Sequence, residues 1–160
     1  MKRRVPRMNE QESQAWLGLT TVFQLLPSAL DRQLQRDSGL THFEFVVLSA
    51  LQLTPGPTMR MTALAEATDA TLPRLSHVCG RLEKRGLIVR SPCPEDGRAT
   101  NVGLTGDGRR ELIRSVPGHI AMARRLVIDA LTPDQLDALT EITGVIAARL
   151  ADESGHPRVT

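Results

Sequence analysis

Between Thr71 and Thr105 the chain changes from one structural period to another, and that change limits its fold more than any other feature. Leu72, Leu75, Val78, Cys79 and Leu82 recur at steps of three and four, the spacing of one buried helical face. The pattern stops at Arg85-Gly86, where glycine suits the left-handed position that ends a helix. Leu87-Ile88-Val89-Arg90 follows at once, rich in β-branched residues, and Thr100-Asn101-Val102-Gly103-Leu104 returns after Pro92-Cys93-Pro94-Glu95-Asp96-Gly97. These are two strands about a turn. Upstream, Thr62 is an expected N-cap for a short helix to about Thr68, with Leu64 and Ala65 inward, and Asp69-Ala70-Thr71 is a compact turn. Helix, turn, helix and hairpin make a winged helix-turn-helix, a shape that fits adjacent grooves of DNA.

The flanking segments are helical. From about Glu12 to Arg36, Ala15, Trp16, Leu19, Val22, Phe23, Leu26, Leu30 and Leu34 form one apolar face, with Pro27 expected to kink it. A second helix starts at Thr41-His42-Phe43-Glu44, which has the capping-box form, and Thr54-Pro55-Gly56-Pro57 ends it. Thr58 to Met61 is a candidate single small strand. After Thr105, Leu112, Ile113, Val116, Ile120, Ala123, Leu126, Val127 and Leu131 mark a fifth helix that Pro117-Gly118 is expected to interrupt. Thr132-Pro133-Asp134-Gln135 opens a sixth, carrying Leu136, Leu139, Ile142, Val145, Ile146 and Leu150.

The fold class is therefore mainly α with a small β-hairpin, a winged helix-turn-helix with N- and C-terminal dimerisation helices. The expected division is a tail and dimerisation helix over 1–39, a DNA-binding module over 40–105, dimerisation helices over 106–152 and a disordered tail over 153–160. Dimerisation is expected because the terminal helices carry broader apolar stripes than the small module can cover. A two-fold axis would also present two reading helices to half-sites about 34 Å apart.

Composition excludes several classes. At 160 residues, 41% hydrophobic and 24% charged, the chain is long enough for a real core and ordinary for a globular domain. No apolar run approaches a membrane span, and the basic start Lys2-Arg3-Arg4 lacks the apolar segment of a signal peptide, so a cytoplasmic protein without membrane partners is expected. There is no Ser-His-Asp order, glycine-rich phosphate loop or HExxH pattern, so no enzyme, catalytic residue, metal site or cofactor is expected. Cys79 and Cys93 are too few for a disulfide scaffold. Cys79 is expected to be a buried hydrophobe and Cys93, between prolines, the more exposed thiol.

The net charge of +2 conceals a concentration of basic side chains. Arg74, Arg81, Lys84, Arg85, Arg90 and Arg98 fall within residues 71–101 against Glu83, Glu95 and Asp96. Double-stranded DNA is the expected partner. Arg74, Ser76, His77 and Arg81 are candidates for the outward face of the second helix, since arginine can bridge guanine O6 and N7 while Ser and His reach base edges or phosphate. Thr71 caps that helix and can help hold a phosphate near its positive end. Lys84 and Arg90 are expected on phosphates. Arg98 at the hairpin tip can enter a narrow minor groove, and Asp96 is expected to orient it through a charge-assisted hydrogen bond.

These residues resemble the MarR family of winged-helix transcriptional regulators. Asp96-Gly97-Arg98-Ala99-Thr100-Asn101-Val102-Gly103-Leu104-Thr105 is similar to that family's wing, with Met61-Thr62-Ala63-Leu64-Ala65 and Arg81-Leu82-Glu83-Lys84-Arg85-Gly86-Leu87-Ile88 in the order it requires. The likeness spans about residues 12–152. It implies a homodimer on a pseudo-palindromic promoter site, usually a repressor, relieved by a small aromatic or phenolic ligand or by oxidation. The family often places arginine where His77 stands. It also implies an effector pocket, for which Trp16, Phe23, His42, Phe45, Met59 and Met61 are candidates, with His119 as a further polar contact. A redox-responsive regulator using Cys93, and a winged-helix protein-interaction module that does not bind DNA, are the alternatives.

Overall fold

The computed structural model describes residues 7–154. Helix α1 (Glu10–Ser38) begins in a capping box in which the Asn9 side chain accepts from Glu12 N–H while the Glu12 carboxylate accepts from Asn9 N–H. It continues through Pro27, whose missing donor falls on an exposed turn, and ends at Gly39 in the left-handed conformation, φ 63°. The Thr41/Glu44 capping box opens α2 (His42–Leu53), as its sequence requires.

Strand β1 (Thr58–Arg60) leads into α3 (Met61–Ala67), a turn in which Asp69 adopts φ 46°, and α4 (Leu72–Lys84). The hairpin is β2 (Ile88–Cys93) and β3 (Asp96–Leu104). Here the sequence expectation needs three corrections. The cap of α3 is Arg60, without a side-chain bond, and Thr62 lies exposed within the first turn. The sheet is three-stranded, ordered β1-β3-β2 and antiparallel throughout, because β1 returns to pair Met59 with Val102. The hairpin arms are longer than expected, with the register shifting between Pro92 and Cys93, where a proline cannot donate to the ladder.

Helix α5 (Gly106–Leu126) starts at Thr105, whose hydroxyl accepts from Gly108 N–H. It runs unbroken through Pro117-Gly118. The expected interruption fails because Pro117 sits on the exposed side, whereas Gly118 allows α5 to approach Gln33 and Asp37 of α1. A short 3₁₀ turn at Ile128–Ala130 precedes α6 (Pro133–Ser154), capped reciprocally by Thr132 and Gln135. Helix α6 extends beyond residue 152. Residues 155–160 of the expected tail, and the basic start at Lys2, lie outside the described residues.

One core joins α2, α3, α4, the sheet and the facing ends of α1 and α5. Leu34, Leu40, Leu48, Leu64, Leu75, Leu82 and Val102 are fully buried in it. Outside this core the apolar stripes are uncovered. Of the eight α1 positions expected on one face, Leu30 and Leu34 are buried, while Trp16, Val22 and Phe23 are more than half exposed. No described residue of α6 is buried.

Candidate nucleic-acid interface

Helix α4 presents a buried side, an open side and two flanks. Leu75, Val78, Cys79 and Leu82 are buried. At 3.6 residues per turn, Pro73, His77, Gly80 and Lys84 fall within about 60° of one another on the opposite side. Pro73, Ser76, His77 and Lys84 are exposed, and among the described residues no protein group bonds to the side chains of Ser76, His77 or Lys84. The outward stripe is therefore open.

Both flanks are pinned, one by a cation–π contact and an ion pair, the other by an ion pair. Toward α2, the Arg74 guanidinium lies 4.2 Å from the Phe43 ring centroid, and Arg81 Nε donates to Glu44 Oε1 at 3.0 Å. Arg81 thus ties α4 to α2. Glu44 is only 3% exposed, and its second oxygen accepts from Thr41 N–H at 2.8 Å. Arg85 sits 3.8 Å from the same carboxylate and donates to Gly39 and Ser38 carbonyls at the end of α1. Toward the wing, Arg90 donates to Glu83 Oε2 from Nε at 2.9 Å and Nη2 at 2.5 Å, and its backbone N–H reaches Glu83 Oε1. The Arg90 hydrogen bond holds the Glu83 carboxyl below its usual range. Arg90 thus braces α4 against β2.

Of the six basic residues clustered in the sequence, Arg81, Arg85 and Arg90 are engaged by carboxylates, leaving Arg74, Lys84 and Arg98 free of ion pairs among the described residues. At the wing tip, Asp96 Oδ1 accepts from the Arg98 backbone N–H at 3.1 Å. Asp96 thus holds Arg98 through a charge-assisted hydrogen bond to its backbone N–H, which shapes the turn, and among the described residues the guanidinium has no partner. Thr71 is exposed at the other end, its hydroxyl accepting from Arg74 N–H at 3.5 Å.

Cys93 is the more exposed thiol, as expected, but at 5% it too is buried, with Arg60 Nη2 3.5 Å from its sulfur. Burial pushes the Cys79 thiol up to about 11. Both thiols are buried. Among the described residues no group of three His, Cys, Asp or Glu could hold a metal ion.

The six effector candidates do not form one site. Trp16 and Phe23 lie on the uncovered part of α1, while Met59 and Met61 pack on the winged-helix core. His42 and Phe45 do converge, with His119, where α1, α2 and α5 meet. The His119 ring centroid is 4.5 Å from Phe45 and 6.0 Å from His42. His42 N–H donates to Asp31 Oδ1 at 2.8 Å, and Gln33 Nε2 donates to Asp37 at 2.7 Å. His119 Nδ1 and Gln33 Oε1 are buried without a hydrogen-bond partner. Sequence reasoning missed Gln33, a polar residue on an apolar helix face. It also saw Glu44 only as a cap, since its arginine partners are remote in the chain.

A family model described as the MarR family matches residues 38–99. A MarR family regulator from Streptomyces coelicolor, solved in complex with DNA, is 40% identical and superposes with a TM-score of 0.84, covering 91% of each chain. AbsC, a second MarR family regulator of that organism, is 34% identical with a TM-score of 0.84, over 92% of this chain and 99% of its own. The HTH-type transcriptional regulator YkoM of Bacillus subtilis is 29% identical over 134 residues, 82% of this chain and 85% of its own.

Burial lowers the pKa of both His42 and His119 from 6.5, with Asp31 opposing the shift at His42 and the His42 charge adding to it at His119. The unfolded chain then takes up protons at higher pH than the folded one, so stability rises with pH in this window. The contribution is complete above about 6.5 and declines as pH falls through 6.5 toward the folded values. Urea unfolding between pH about 7.5 and about 5.5 is expected to show a falling midpoint in the parent chain, and a flatter profile in His119→Phe.

Proposed function

The chain belongs to the MarR family of transcriptional regulators, and from that premise we propose that it acts as a homodimeric repressor on a pseudo-palindromic promoter site. The observation that carries this reading is the open stripe of α4 on the same winged module as Arg98, whose guanidinium has no ion pair among the described residues. Ser76 and His77 read base edges in the major groove, Lys84 and Arg74 meet phosphate, and Arg98 enters the adjacent minor groove. Thr71 adds a phosphate contact at the start of α4. Such a protein works in the cytoplasm, where the DNA is.

The second copy is supported by the uncovered stripes. Val145 is 67% exposed and Phe23 59%, and an apolar groove of about 450 Å³ lies between α1, α5 and α6, lined by Val22, Leu25, Leu26, Leu126, Leu131 and Leu139. Exposed apolar area on this scale marks an association surface. A two-fold axis through these helices sets two copies of α4 on successive turns of the duplex.

Relief by a small phenolic ligand is assigned to the junction of His42, Phe45 and His119. Phe45 and His119 already touch, with ring centroids at 4.5 Å, so an aromatic ligand seats here by displacing one of these rings, and its hydroxyl donates to Gln33 Oε1 or bonds to His119 Nδ1. The buried thiols disfavour an oxidation signal.

Three measurements test the parts separately, with a mobility shift on the duplex upstream of the chain's own gene as the common readout. Arg98→Ala is expected to bind at least tenfold more weakly, about 1.4 kcal/mol, with an unchanged circular dichroism spectrum; equal affinity at physiological salt removes the wing from the interface. Val145→Asp is expected to elute as a folded monomer on size exclusion and to lose most operator affinity, and a monomeric parent protein refutes the dimer. Hydroxybenzoates titrated into the complex are expected to release DNA from the parent protein but not from His119→Ala, and release from both variants alike moves the effector site elsewhere.

A further inference from the structure

Glycine inside a helix weakens it, because it adds freedom to the unfolded chain and packs nothing, so each instance asks for a compensating contact. Two of them in α5 have one within the chain. A Cβ on Gly108 would stand 2.0 Å from the Leu87 carbonyl oxygen, and one on Gly118 would stand 2.9 Å from Asp37 Oδ2. Gly80 in α4 has none, since a Cβ there meets nothing within 4 Å. Gly18 and Gly144 are equally unconstrained, and both belong to helices whose apolar faces are uncovered.

Gly80 lies midway along the outward stripe of α4, between His77 and Lys84. We propose that it is the point at which the α4 main chain rests against the major-groove surface of DNA, its missing side chain leaving a notch that lets the helix seat. This inference rests on the DNA-binding reading above. The major groove is about 12 Å wide and a helix with its side chains about 10–12 Å across, so little clearance remains. Depth of entry is then set by the side chains on the stripe that points at the groove floor. Pro73 and Gly80 keep that stripe low, and His77 and Lys84 extend from either side of the notch. A clash at position 80 is not relieved by rolling the helix, because Arg81–Glu44 on one flank and Arg90–Glu83 on the other fix its rotation.

Gly80→Ala separates this from a structural role because stability and affinity move in opposite directions. The variant is expected to melt about 2–4 °C higher than the parent chain, as an alanine in an exposed helix should. It is also expected to bind the operator duplex at least tenfold more weakly, with Gly80→Val weaker still. Binding equal to the parent overturns the proposal, as does a lowered melting point, which would place the reason for glycine inside the fold. If the parent chain binds no duplex at any salt, the DNA-binding reading itself has failed and the proposal falls with it, an outcome distinct from loss in the variant alone.

Discussion

The buried carboxylate of Glu44 organises the winged-helix half of the molecule. Its chemistry explains why a charge is tolerated at 3% exposure: one oxygen satisfies the Thr41 N–H at the start of α2, and the other receives Arg81 from α4. Burying an unpaired carboxylate costs several kcal/mol, so the arrangement holds only with its partners in place. Arg85 adds a second cation and carries the connection to the carbonyls that end α1. Three helices thus share one electrostatic node. The orientation of α4 relative to α1 follows from it.

That coupling matters because α1 has two environments along its length. Its C-terminal part enters the winged-helix core through Leu30 and Leu34, whereas its N-terminal part holds out Trp16, Val22 and Phe23. A partner copy covering the latter would be rigidly connected, through a single helix, to the reading helix at the former. The junction of His42, Phe45 and His119 lies beside the same node, with His42 two residues from Glu44 and bonded to Asp31 of α1. A ligand seated there would act where α1 meets the winged module.

Local chemistry made most of the elements legible before the structure. Capping boxes at Thr41 and Thr132, Gly86 after α4 and the β-branched run from Ile88 are short-range signals, and each depends on neighbours within four residues. Errors collected where a distant partner decides. Thr62 looked like a cap, yet the pairing of β1 with β3 starts the helix earlier. Pro117-Gly118 looked like a break, yet α5 stays continuous against α1. Cys93 looked exposed between its prolines, yet the sheet folds it inward beside Arg60.

The candidate interface divides in the same way. The sequence by itself determined the two helices, the wing, the concentration of arginines and the surplus of apolar surface on the terminal helices, because period, capping and composition are properties of neighbouring residues. Only the tertiary structure decided which of those arginines remain available. Arg81, Arg85 and Arg90 find Glu44 and Glu83, while Arg74, Lys84 and Arg98 do not. A charge can be counted from a sequence, but whether it is spent inside the fold or offered to a partner depends on distances of a few ångströms between groups far apart in the chain, since ion pairing decays steeply with separation.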